Sequence, residues 1–177
     1  LVGGTAGVLD MLCFRFVEEV YTAPPRQMKL GKTLKAVFSN KPFMRLLLMW
    51  TVWCFTTNLA APYLIPYARN VMGLSFTQIM IFGTLSGSIA TIAIMPWWGK
   101  VLDRHGPRRV MLLAFAGAPL SASFYLLARP GSVLPVFLHN FVGALFWSGT
   151  NLSATTLQLS CSPDDIRSAH IAVFSSV

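Results

Sequence analysis

The chain has 177 residues, 54% of them hydrophobic and 11% charged, with 14 Lys and Arg against 6 Asp and Glu and a formal net charge of +8. A mean hydropathy of +0.59 with so few charges argues against a water-soluble domain, which carries roughly a quarter of its residues as charged ones. The apolar residues come in long blocks rather than on one face of each element, and the basic residues fall between the blocks.

In chain order, residues 1–14 are too short to cross a bilayer and have neither an initiator Met nor a basic leader, so they are expected to be the end of a preceding transmembrane helix. Residues 15–45 form a basic connection, with Arg15, Arg26, Lys29, Lys32, Lys35, Lys41 and Arg45 against Glu18 and Glu19. Inside it, Leu30, Leu34, Val37 and Phe38 recur at helical spacing between Met28 and Asn40, with Lys29, Lys32 and Lys35 at the edges. That pattern predicts a short amphipathic helix lying on the inner leaflet.

Residues 46–177 are expected to hold four complete transmembrane helices, about 46–68, 78–98, 108–128 and 133–160, and the start of a fifth near Ala169. Leu46 to Ala68 carries no charge; about 23 residues at ~1.5 Å each give roughly 34 Å, enough for a ~30 Å hydrocarbon core. Gly73, Leu74, Ser75 and Thr77 supply turn and N-cap chemistry before the second helix. Pro119 predicts a kink in the third, while Pro135 falls in the first turn of the fourth, where no donor is lost. The connection after the second helix carries Lys100, Arg104, Arg108 and Arg109 against Asp103, whereas the alternate connections carry only Arg69 and Arg129. The two basic sides are therefore expected to be cytoplasmic. Basic residues split between two juxtamembrane loops account for the positive charge without nucleic acid as a partner.

The most specific local signal is Gly99-Lys100-Val101-Leu102-Asp103-Arg104-His105-Gly106-Pro107-Arg108-Arg109. It resembles the major facilitator superfamily signature G-x-x-x-D-R-x-G-x-R-R, matching at Gly99, Asp103, Arg104, Gly106, Arg108 and Arg109. Physically, Gly99 is expected to let two helix ends approach closely, Gly106 to allow a left-handed turn, and Pro107 to open the next helix. Asp103 is placed to accept bonds from orphan N–H groups or a neighbouring Arg. In that family the signature sits between the second and third helices and recurs between the eighth and ninth. The long basic connection resembles the central loop between two six-helix halves, Asn40-Lys41-Pro42-Phe43-Met44-Arg45 resembles the usual start of the seventh helix, and no Arg lies within 133–160.

The resemblance thus implies an all-α polytopic membrane protein, covering the end of helix six to the start of helix eleven within a C-terminal six-helix half. It also implies a secondary active transporter of a small molecule working by alternating access in the cell membrane, with a coupling ion, the lipid bilayer and a missing N-terminal half as partners. The signature residues become the cytoplasmic gate.

Two one-sided polar and aromatic stripes are candidate cavity surfaces, because a polar side chain in hydrocarbon is costly unless it faces protein or water. Trp50, Trp53 and Thr57 recur at i, i+3 and i+7 with Asn58 adjacent, and Asn140, Trp147, Asn151, Thr155 and Gln158 follow on the last complete helix. The competing reading for each is interhelical hydrogen bonding, worth ~0.6 kcal/mol. The Gly83–Gly87 pair and Ala114, Ala118 and Ala122 read as packing surfaces, and His139 as a satisfied hydrogen-bonding group. Cys13, Cys54 and Cys161 have no metal spacing and no evident disulfide partner. No nucleophile elbow, phosphate loop or HExxH is present, so neither an enzyme, a cofactor nor a metal is expected. The alternative class is a transporter-like protein that acts as a sensor or scaffold; a channel would need a continuous pore motif. With no fixed charge inside the four spans, the expected substrate is neutral, amphipathic or aromatic.

Overall fold

The structure, a computed structural model, describes residues 30–177; the expected helix end at 1–14 and residues 15–29 of the basic connection lie outside the described residues. Helix α1 (Leu30–Ser39) is followed by four long helices, α2 (Lys41–Asn70), α3 (Phe76–His105), α4 (Pro107–Ser123) and α5 (Leu134–Cys161). A 3-10 turn, Phe124–Leu127, extends α4, and a second, Asp164–Ile166, precedes the short α6 (Arg167–Ser175). No strand occurs among the described residues.

Helix starts follow local chemistry. Asn40 caps α2 by accepting from the Phe43 N–H (3.3 Å), with Pro42 in the first turn. Ser75 and Gln78 form a capping box on α3: the Gln78 N–H donates to Ser75 Oγ (3.2 Å) and the Ser75 N–H to Gln78 Oε1 (2.9 Å). α2 and α3 are each 30 residues long, roughly 45 Å at ~1.5 Å per residue. They outrun the apolar runs because Lys and Arg are good helix formers: at a membrane surface the solvent changes and the backbone need not. α4 passes through Pro119, whose missing N–H frees the Phe115 carbonyl, and tightens to 3-10 geometry after Ser123. Among the described residues, Phe76–His105 and Pro107–Leu127 each hold an apolar stretch long enough to cross a membrane by length and composition. α2 and α5 have similar lengths but carry their polar side chains along the inner face described below.

α5 is the central element and packs along both α3 and α4. Two glycines allow this. A Cβ on Gly149 would stand 2.6 Å from the Trp98 indole, and one on Gly117 would stand 2.1 Å from the Phe146 ring. Trp98, 2% exposed, is pinned by its Nε1–H donating to the Leu145 carbonyl at 2.6 Å.

The two ends of the bundle are closed differently. At the end carrying Gly106 and Ser162, Val37, Phe43, Leu46, Leu47, Met111, Leu157 and Phe174 form one apolar cluster. Of the α1 stripe, Val37 is buried there, while Leu34 and Phe38 are exposed. Asn40 ties this end together, its Nδ2–H donating to the Cys161 carbonyl (2.8 Å) and to His170 Nε2 (3.3 Å). His170, fully buried, lies with its Nδ1 on the Ile166 carbonyl (3.1 Å) and its ring edge-on to Phe43 at 4.5 Å. At the other end a smaller cluster, Ala68, Met72, Leu74, Ile79 and Val136, joins the loops, and the Gly131 N–H donates to the Met72 carbonyl (2.8 Å). Large apolar side chains point outward, Phe55 70% and Leu126 87% exposed, as a lipid or helix contact requires and water does not tolerate.

Candidate functional site

The inner faces of α2, α3, α4 and α5 enclose a cleft of about 1100 Å³. Its lining runs from Trp53 to Leu64 on α2, Gly83 to Ile92 on α3, Ala118 to Ala122 on α4 and His139 to Trp147 on α5. Most of this lining lies in the half of each helix nearer the 71–75 and 128–133 loops, with Trp53, Thr91 and Ile92 just past the helix midpoints. Toward the opposite end an aromatic layer closes the space: Trp53 stacks on Phe115 (ring centroids 4.2 Å, 7° between planes) and lies 6.0 Å from Trp147. The Trp53 indole N–H is buried in this layer without a hydrogen-bond partner among the described residues.

The cleft brings together Trp53, Thr57, Asn58, Asn140 and Trp147 from the two predicted stripes. Trp50 and Asn151 lie outside it. Both sit one helical turn beyond the aromatic layer, toward the basic loops, so they share the predicted helix face but not the depth. Trp50 stacks on Phe174 of α6 (5.3 Å), and Asn151 is exposed, its carbonyl taking the Thr155 hydroxyl (2.9 Å).

Hydrogen bonding inside the cleft is asymmetric. Asn58 Nδ2–H donates to the Cys54 carbonyl and Asn140 Nδ2–H to the Val136 carbonyl, both at 2.8 Å, which leaves the two Oδ1 atoms without protein partners among the described residues. The His139 Nδ1–H faces the Ser121 carbonyl at 3.0 Å, leaving Nε2 as an acceptor. Thr56 and Thr57 donate back to their own helix. No Lys, Arg, Asp or Glu is among the lining residues.

The sequence reading missed the α3 wall. Thr84, Ser88 and Thr91 line the cleft at i, i+4 and i+7, a signal that the glycine pair beside them overshadowed. Gly83 is still a packing residue, since a Cβ there would stand 3.2 Å from Asn140 Nδ2. Ala118 and Ala122, assigned to packing alone, line the cleft as well.

The signature loop connects α3 to α4. Gly106 has φ 77 and ψ 159, a region essentially reserved for glycine and costing other residues ~1–3 kcal/mol, and Pro107 opens α4. The close-approach role expected of Gly99 does not hold among the described residues: nothing lies within 4 Å of a Cβ built there, because α3 and α4 diverge from the Gly106 corner. Asp103, Arg104, Arg108 and Arg109 are all exposed, and Asp103 makes no hydrogen bond or ion pair among the described residues. It belongs to the last turn of α3, while the cap position of α4 is Gly106, which offers no side chain.

Long helices with apolar exteriors around a cleft lined mainly by apolar side chains, with uncharged polar ones among them, make an all-α bundle of the kind a membrane protein forms. The chain belongs to the Major Facilitator Superfamily, whose family model matches residues 1–177. It is similar to the "High-affinity nitrate transporter 2.3" of Oryza sativa subsp. japonica, with 34% identity over 60% of this chain and 22% of the relative. The chain therefore spans about a fifth of that relative's length. No solved structure matches.

Proposed function

We propose that this chain is part of the C-terminal half of a secondary active transporter of a small molecule, working by alternating access in the cell membrane with its basic loops on the cytoplasmic side. The observation that carries the reading is the cleft shared by four helices and sealed on one side by the Trp53, Phe115 and Trp147 rings, the arrangement a rocking half needs around its substrate. The buried, unpaired Trp53 N–H supports movement there: an unsatisfied donor costs ~1–3 kcal/mol, and opening the layer to water relieves it. Gly99, Asp103, Arg104, Gly106, Arg108 and Arg109 form the cytoplasmic gate, with Asp103 free to engage a segment outside the described residues.

Three free acceptors, on Asn58, Asn140 and His139, and no fixed charge favour a neutral substrate with an apolar ring and hydrogen-bond donors. Nitrate, the substrate in the relative's name, is an anion and needs a positive charge that this lining does not supply. A coupling ion, which no fixed charge in this lining attracts, falls to the N-terminal half or to His139.

The test is an uptake screen in vesicles containing the full-length protein, with neutral donor-bearing aromatic compounds against nitrate. Transport of nitrate alone contradicts the neutral reading, and intact binding with no flux of any compound leaves the sensor or scaffold reading in its place. With the compound identified, Asn140→Ala and Trp147→Ala are each expected to weaken binding by ~1–2 kcal/mol, while Asn151→Ala leaves affinity unchanged. Equal losses at all three positions would remove the depth argument. Orientation has its own check: a Cys at Arg69 is expected to react with an impermeant reagent from outside, and one at His105 to be protected. The reverse pattern inverts the topology.

A further inference from the structure

On the outer face where α3 meets α4, a second depression of about 320 Å³ is bounded by Trp97, Val101 and His105 of α3 and by Arg109, Val110 and Leu113 of α4. The three α3 residues follow at i, i+4 and i+8, one continuous stripe, and the two helices meet at Gly106. His105 and Arg109 therefore stand at the mouth beside the loop. Trp97 lies about two turns deeper than His105, roughly 12 Å along the axis, and Leu113 about one turn, roughly 6 Å, deeper than Arg109. The groove shares no residue with the cleft.

Its two parts differ in chemistry. Trp97, Val101, Val110 and Leu113 make an apolar floor, with Trp97 and Leu113 each about half exposed. Arg109 at the mouth is exposed and has no hydrogen bond or ion pair among the described residues. The same helix ends and corner also carry Lys100, Arg104 and Arg108, all exposed, against the single acid Asp103. The His105 Nδ1–H is turned to the Val101 carbonyl (3.3 Å), so the ring lies along the groove wall.

We propose that this groove binds one anionic glycerophospholipid, an acyl chain lying along the Trp97–Leu113 floor and the headgroup phosphate on Arg109. A guanidinium binds phosphate oxygens in a bidentate fork. A cation at headgroup level beside hydrocarbon is stabilised by an anion that brings its own apolar anchor. Basic pockets between helices select anionic headgroups because each Lys or Arg near the surface adds ~1 kcal/mol of attraction. A zwitterionic headgroup carries its own cation into a cluster that already holds four.

The test is retention of lipid by the full-length protein in detergent, followed by native mass spectrometry during titration with phosphatidylglycerol or phosphatidylcholine of the same chain length. Half-saturation with phosphatidylglycerol is expected at about tenfold lower concentration, equivalent to ~1.4 kcal/mol. Arg109→Gln, at an exposed position, is expected to erase most of that difference without changing the melting temperature. Leu113→Trp, filling the floor, should lower phosphatidylglycerol retention several-fold, and Arg69→Gln at the other end should do nothing. Equal retention of the two lipids, or unchanged retention in Arg109→Gln, overturns the assignment. So does full competition by glycerol phosphate, which lacks the chain and would make this a plain phosphate site. Indifference to Leu113→Trp also overturns it, because another segment of the protein then covers the groove.

Discussion

Gly149→Ala is expected to destabilise the protein by ~2–4 kcal/mol, more than any other single added methyl among the described glycines. The added Cβ would meet the Trp98 indole at 2.6 Å. Relief requires moving a buried ring whose N–H is bonded to the Leu145 carbonyl. Overpacking of this kind costs ~1–3 kcal/mol, and a lost buried hydrogen bond adds ~0.5–1.5 kcal/mol. Gly117→Ala meets Phe146 at still shorter range, but that ring is only half-buried and without a polar tether, so it can swing aside. Gly99→Ala is the opposite case: with no neighbour within 4 Å, it exchanges a poor helix former for a good one inside α3 and gains up to ~1 kcal/mol. Melting temperatures of the three variants in one detergent decide the order. A Gly149→Ala protein that melts with the wild type would mean α3 and α5 are not packed at Trp98.

The second large effect is expected at Asn40, where one side chain joins three helices. Asn40→Ala removes the α2 cap, worth ~0.5–2 kcal/mol, and leaves the buried His170 Nε2 without its donor, a further ~1–3 kcal/mol. Asn40→Ser keeps an oxygen for the Phe43 N–H but is too short to reach Cys161 and His170, so its loss should be intermediate. Because Asn40 supplies the hydrogen bond to the buried His170, the damage should be local as well as global. Amide exchange of residues 167–175 is expected to rise in Asn40→Ala by more than that of α3. Equal changes in both helices would show that α6 is held by the ring contacts of Phe43 with His170 and of Trp50 with Phe174.

The helical membrane class was legible in the sequence because its causes are local and additive. Charge-free runs, capping residues such as Ser75 and Gln78, and the glycine-bearing corner at Gly106 act within one or two turns, so their neighbours in sequence are their neighbours in space. The 99–109 pattern carried the family resemblance for the same reason: a corner between two helices needs Gly, Pro and charged residues at fixed spacing. The polar face of α2 was legible too, since Trp53, Thr57 and Asn58 share a stripe and a stripe is a property of one helix.

Depth and partnership were decided only by the tertiary structure. Periodicity places Trp50 with Trp53, and Asn151 with Trp147, but it says nothing about where along the axis four helices draw apart. That level is set by the Trp53, Phe115 and Trp147 rings, which come from three helices. Gly83 and Gly87 spell the same motif whether they face only a helix or also a cavity; here Asn140 on α5 makes them wall and packing surface at once. Nothing local to His170 marks it as a buried junction; its partner Asn40 lies 130 positions earlier in the chain. Sequence alone determined which segments are helical and which faces are polar, since short-range sterics and solvation act within a turn. Which of those faces meet, and at what depth, depends on side chains from distant segments filling one common volume.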